Sequence, residues 1–85
     1  MAKKRDVMTF DPSALKRIRK ATGWGLHKLA VELAREGIVD SITAETIRKF
    51  ELGVTEPRVS LFFAISRVLN VPAVSLLRAR GPRGL

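Results

Sequence analysis

Leu26, Leu29, Ala30 and Leu33 follow one another at i, i+3, i+4 and i+7. That spacing lines four apolar side chains along one side of an α-helix, whereas a pleated strand would scatter them over both faces. Stripes of this kind recur along the chain, each fenced by residues that start or stop helices. Upstream, Asp11-Pro12-Ser13 reads as a helix start, with Asp11 as cap and Pro12 in the first turn. The helix it opens runs to about Thr22, with Leu15 and Ile18 inward, Ala14 and Ala21 flanking them, and Lys16, Arg17, Arg19 and Lys20 over the rest. Gly23-Trp24-Gly25 breaks it. A second helix starts near Leu26, with Ala34 and Ile38 extending its stripe and Gly37 as its stop.

A third helix opens at Thr43, a good N-cap, and carries Glu45 in its first turn, where the helix dipole favours an anion. Ile47 and Phe50 point inward, and Gly53 ends it. A fourth spans about Arg58 to Leu69, with Val59, Phe62, Ile65, Ser66 and Leu69 as its core face and Asn70 suited to the left-handed residue that closes it. Pro72 starts a short fifth helix with Val74 and Leu77 inward. No strand-like alternation of any length and no internal repeat is present. The expected fold is all-α, five short helices over residues 11–78, with a basic arm at 1–10 and a loose basic tail at 79–85.

A chain of 85 residues is enough for one domain. It has no cysteine and a single histidine, His27, which excludes disulfides, thiolate metal sites and histidine clusters. His27 is expected on an exposed helix face. No nucleophile–base pair or phosphate-binding glycine loop is present, so neither an enzyme, nor a cofactor, nor a small-molecule ligand is expected. No apolar run approaches the ~20 residues of a membrane span, and the charged start leads into no apolar signal region, so a cytoplasmic, nucleoid-associated protein is expected. Sixteen Lys and Arg against eight Asp and Glu leave a net charge of +8. An excess of this size calls for a polyanionic partner: nucleic acid first, then a membrane surface, then an acidic protein.

The order of segments is informative as a set. Leu15-Lys16-Arg17-Ile18-Arg19 is followed by Lys28-Leu29-Ala30-Val31-Glu32-Leu33, then by Ile42-Thr43-Ala44-Glu45-Thr46-Ile47-Arg48-Lys49-Phe50-Glu51-Leu52-Gly53. Pro57 and Val59, Phe62, Ile65, Leu69-Asn70-Val71 and Leu76-Leu77 complete the series. In this order they resemble the phage-repressor and Cro-like helix-turn-helix family (the XRE, or lambda-repressor-like, family) over about Leu15 to Leu77. The resemblance implies that the third helix, about Thr43 to Leu52, is a recognition helix, and that the protein is a sequence-specific regulator of transcription, a repressor, acting on double-stranded DNA.

The outer face of the third helix fits that role on physical grounds. It carries Ala44, Glu45, Arg48 and Lys49 and no large apolar residue, which leaves it free to enter a major groove. Ala44 can touch a thymine methyl, Glu45 can accept from cytosine N4, and Lys49 can donate to guanine or phosphate. Phosphate contacts are assigned to Lys28, Arg35, Thr43 and Arg48, and the resemblance implies another at Arg58, after the loop that follows the recognition helix. The arm and tail, with Lys3, Lys4, Arg5, Arg78, Arg80 and Arg83, are expected to add contacts to backbone or minor groove. Trp24 is read as packing under the second helix, with base stacking as the alternative. Glu51 is read as the structural partner of a nearby Arg.

The chain departs from the family pattern in two places. Where the family opens its second helix with a hydroxyl residue and a glutamine, this chain has Gly25 and Leu26, and it contains no glutamine at all. The phosphate clamp would then come from backbone N–H groups at the helix start or from Lys28. The turn before the third helix is also longer than the usual ~3–4 residues, with Arg35 to Ser41 intervening. Either the second helix is extended or a loop protrudes. That insertion is either a tolerated surface loop, or Arg35 and the Ile38-Val39 pair make an extra contact with DNA or a partner.

Leu61, Ala64 and Val68 form a second apolar stripe on the fourth helix, continued by Leu76. A helix apolar on two sides is either doubly buried or interfacial. A homodimer on these residues is expected, as the family commonly pairs through its C-terminal helices, with two recognition helices about 34 Å apart. The alternative function is a protein-binding module on the same scaffold: an antitoxin, an antirepressor, or a phage factor acting on the host transcription machinery.

Overall fold

The computed structural model describes residues 7–38 and 42–80. Among these the chain runs β1 (Val7–Phe10), α1 (Pro12–Thr22), α2 (Leu26–Arg35), α3 (Ala44–Leu52), α4 (Val59–Leu69), a 3-10 turn (Ala73–Leu76) and β2 (Leu77–Arg80). The fold is mostly helical, with four α-helices and one short two-stranded sheet.

The helix ends follow the local chemistry. The Asp11 carboxylate accepts the Ala14 N–H at 3.3 Å and the Ser13 hydroxyl at 2.8 Å, capping α1 ahead of Pro12. Burial pushes the Asp11 carboxyl up, but the Ser13 and Ala14 hydrogen bonds and the nearby Arg78 guanidinium outweigh it and hold the group below its ordinary value of 3.8. A depressed folded-state value means that this carboxylate stabilises the fold above pH ~4 and that the contribution fades as pH falls through the lower, folded value. Asp11→Ala is therefore expected to cost about 1 kcal/mol at pH 7. Urea unfolding should show that difference shrinking in strong acid, and Asp11→Asn, which still caps, should cost less. Gly53 closes α3 at φ 77°, a left-handed conformation that nearly every other residue resists, and its N–H reaches Phe50 O at 3.2 Å.

α4 is the central helix. Leu61, Ala64, Ile65, Ser66 and Leu69 are all buried, and Phe62 and Val68 pack against the core from either side. The buried arc thus covers more than half of the helix circumference. Ser66 is satisfied within it, its hydroxyl donating to Phe63 O at 2.7 Å. Phe10 from β1, Leu15 from α1, Leu29, Ala30 and Leu33 from α2, Ile47 and Phe50 from α3, and Leu76 complete the core. Each such leucine removed from water contributes about 1.5–3 kcal/mol.

The arrangement corrects several expectations. Leu61, Ala64 and Leu76 belong to the core and are not surface residues, and Val68 is half-buried against it. The expected dimer stripe is thus the doubly buried side of α4, and pairing through it would require opening the domain. The core arc is centred between the two stripes read from the sequence, so Val59, assigned inward, is 71% exposed. Val74 is likewise exposed, with the neighbouring Leu76 inward in its place, and Ala34 lies on the surface. The fifth helix is a single 3-10 turn. α2 is not extended: it stops at Arg35, and the rest of the insertion is loop as far as Ile38, with residues 39–41 outside the described residues.

Residues 7–10 of the expected arm and 79–80 of the expected tail are strand, and residues 1–6 and 81–85 lie outside the described residues. β1 and β2 pair antiparallel in the register Val7↔Arg80, Met8↔Ala79, Thr9↔Arg78, Phe10↔Leu77, and Asp11 N–H extends the ladder to Leu76 O at 2.8 Å. A two-stranded ribbon is marginal on its own. This one is anchored by buried Phe10, whose ring meets Phe62 edge-on with centroids 6.4 Å apart, and by Leu76.

Candidate nucleic-acid interface

α3 is built to keep one face free. Ile47 and Phe50 anchor it in the core, and Thr43 caps it, the Thr46 N–H donating to the Thr43 hydroxyl oxygen at 3.2 Å. Glu45, Arg48 and Lys49 are exposed on the opposite side, and Ala44 is half-buried beside them. The four expected contact residues of this helix thus share one outward surface.

Glu45 and Arg48 are not independent on that surface. Arg48 Nε donates to Glu45 Oε1 and Nη2 to Oε2, both at 3.0 Å, a two-pronged pair at i, i+3. The Arg48 hydrogen bond holds the Glu45 carboxyl below its ordinary range, and Glu45 holds the Arg48 guanidinium above its own. Both side chains are more than half exposed, so water and salt screen the pair heavily. Lys49 has no ion-pair partner among the described residues.

The residues expected to touch phosphate are spread over three elements. Lys28 donates to Glu32 at 2.9 Å and its ammonium sits 5.5 Å from the centre of the Trp24 ring. Arg35 approaches the same Glu32 at 3.7 Å, so the two cations of α2 converge on one carboxylate. The Thr43 hydroxyl is occupied by capping its own helix, which leaves its N–H for any anion. Arg58 precedes α4 with its side chain exposed. Gly25, at the start of α2, supplies no side-chain cap, so the first amides of that helix are not answered by a side chain. Of the terminal contacts, Lys3, Lys4, Arg5 and Arg83 lie outside the described residues, as does the Arg80 side chain, although Arg80 ends β2.

The structure adds a residue that the sequence reading placed in solvent. Arg19 is buried, with its guanidinium locked on Glu51: Nε donates to Oε2 and Nη2 to Oε1 at 2.9 Å, while Nη1 donates to Trp24 O at 2.9 Å. Both side chains are at most 7% exposed. The expected structural role of Glu51 is thus met, and its partner is the one arginine of α1 that lies three residues from Lys16 and faces α3. Trp24 packs against the core, as expected, and His27 is exposed.

No helix among the described residues is long and apolar enough to cross a membrane. Among the same residues, no group of three potential ligands is placed to hold a metal ion. No family model, curated protein or solved structure matches the chain.

Proposed function

We propose that α2 and α3 form a helix-turn-helix of the phage-repressor and Cro-like kind, that the protein binds double-stranded DNA sequence-specifically, and that it regulates transcription, as a repressor. The observation that carries this reading is the free face of α3: Glu45, Arg48 and Lys49 exposed together on a helix anchored by Ile47 and Phe50, in a chain of charge +8. A helix held this way can lie in a major groove and reach base edges with its first turns. Glu45 and Lys49 read bases, Ala44 meets a methyl group, and Arg48 and Arg58 hold the backbone.

The test separates base readers from backbone contacts. Glu45→Ala is expected to change which base is preferred, with discrimination at that position falling by about 1–3 kcal/mol. Arg58→Ala should weaken binding to all duplexes alike and lower the salt dependence by about one unit. Mobility-shift titrations over a panel of single-base variants measure both. Equal effects of the two substitutions on every sequence would refute the assigned roles.

A second reading, a protein-binding module, rests on α4. Val59 is 71% and Phe63 46% exposed, one turn apart on its outward side. Co-purification of a partner, together with no shift of any duplex at moderate salt, would favour it.

A further inference from the structure

Between α1, α3 and the start of α2 lies a notch of about 330 Å³. Lys16 and Lys20 line it from α1 and Arg48 from α3, with Arg19 and Glu51 also on its wall. Lys16, Arg19 and Lys20 stand at i, i+3 and i+4, so the sequence places all three on one side of α1. Arg19 and Glu51 neutralise each other through their paired hydrogen bonds. The uncompensated charge of the notch is therefore positive, because among the described residues neither Lys16 nor Lys20 has an ion-pair partner. Glu45, Arg48 and Leu52 follow at i, i+3 and i+7 along α3, so the outward face of that helix leads directly into the notch.

We propose that this notch seats one phosphate of the DNA backbone, held by Lys16, Lys20 and Arg48, and that it supplies the clamp that Gly25 and Leu26 do not provide. The proposal rests on the DNA-binding reading above. Arg48 is the hinge of the arrangement. Its pair with Glu45 is solvent-exposed and weak, so a phosphate in the notch competes for the guanidinium, and a carboxylate released from Arg48 is free to accept from a base. Backbone capture and base readout are thereby coupled through one side chain.

Lys16→Ala/Lys20→Ala tests the notch, since both side chains are exposed and circular dichroism can confirm that the fold is kept. Arg17→Ala/Arg67→Ala removes the same charge from exposed residues that do not line the notch and serves as control. The loss of affinity for a duplex between 50 and 200 mM salt should become about 3-fold smaller in the lysine variant, the share of one phosphate contact, and discrimination at the base that Glu45 reads should weaken with it. A wild-type protein that binds duplex, with a lysine variant no different from it or from the control, overturns the clamp and leaves the DNA-binding reading standing. A wild-type protein that binds no duplex at low salt overturns both. Inorganic phosphate, titrated at constant ionic strength, distinguishes the source of the anion. Millimolar phosphate that shifts the amide resonances of Lys16 and Lys20 and displaces duplex would make the notch a site for free phosphate and overturn the backbone assignment.

Discussion

Glu51→Ala is expected to destabilise the domain by about 3–5 kcal/mol, because it leaves the Arg19 guanidinium buried with its main partner gone. A domain of this size has on the order of 5–10 kcal/mol to lose, so the variant should be partly unfolded at moderate temperature. The loss comes from stranding a charge, not from forfeiting an attraction. Removing both partners should therefore hurt less than removing one. Arg19→Met/Glu51→Leu is expected to recover more than half of the single-variant loss, since apolar side chains of similar volume fill the same space. Full recovery is not expected, because Trp24 O loses the donor that Arg19 provides at 2.9 Å. Urea unfolding of the four proteins in the cycle measures this coupling directly. A cost below ~1 kcal/mol for Glu51→Ala would mean that the pair behaves like a surface salt bridge.

Leu76→Ala is expected to cost about 2–5 kcal/mol, a shift of melting temperature on the order of 10 °C or more. Leu76 is fully buried and stands at the junction where the 3-10 turn passes into β2, so its loss loosens both the core and the anchor of the ribbon. Leu61→Ala should act in the same range. Both losses should be independent of protein concentration, because these side chains are enclosed within one chain. If they instead sealed a dimer, the melting temperature of the wild type would rise with concentration and the variants would flatten that dependence. Scanning calorimetry over a 50-fold range of concentration discriminates the two.

Much of this was legible in the residue pattern, and the exceptions have physical reasons. Thr43 and Gly53 bracket α3 because caps are local chemistry, satisfied within a turn of the residue itself. Asp11 and Asn70 were readable for the same reason, Asn70 adopting φ 59°. The two-stranded ribbon of β1 and β2 was not, since four residues are too few to show alternation and the partners lie some seventy positions apart. The burial of Arg19 is not legible, because charge predicts exposure unless a partner is known, and Glu51 comes from a different helix. The apolar stripes of α4 are legible, but their burial within one chain is not. Two stripes on one helix read as core plus interface, whereas a central helix buries both sides. On α3 the outward residues were legible from spacing, but the Glu45–Arg48 pairing was not, because competing partners for an exposed arginine leave no trace in spacing.

The central claim is that the free face of α3 reads a DNA sequence. Selection from a pool of random duplexes, run at 50 and at 200 mM salt, tests it most directly. One short motif should be enriched at both salt concentrations, with affinity falling steeply as salt rises while the motif stays the same. Recovery of duplexes without any shared motif, or no duplex retained even at 50 mM salt, would contradict it.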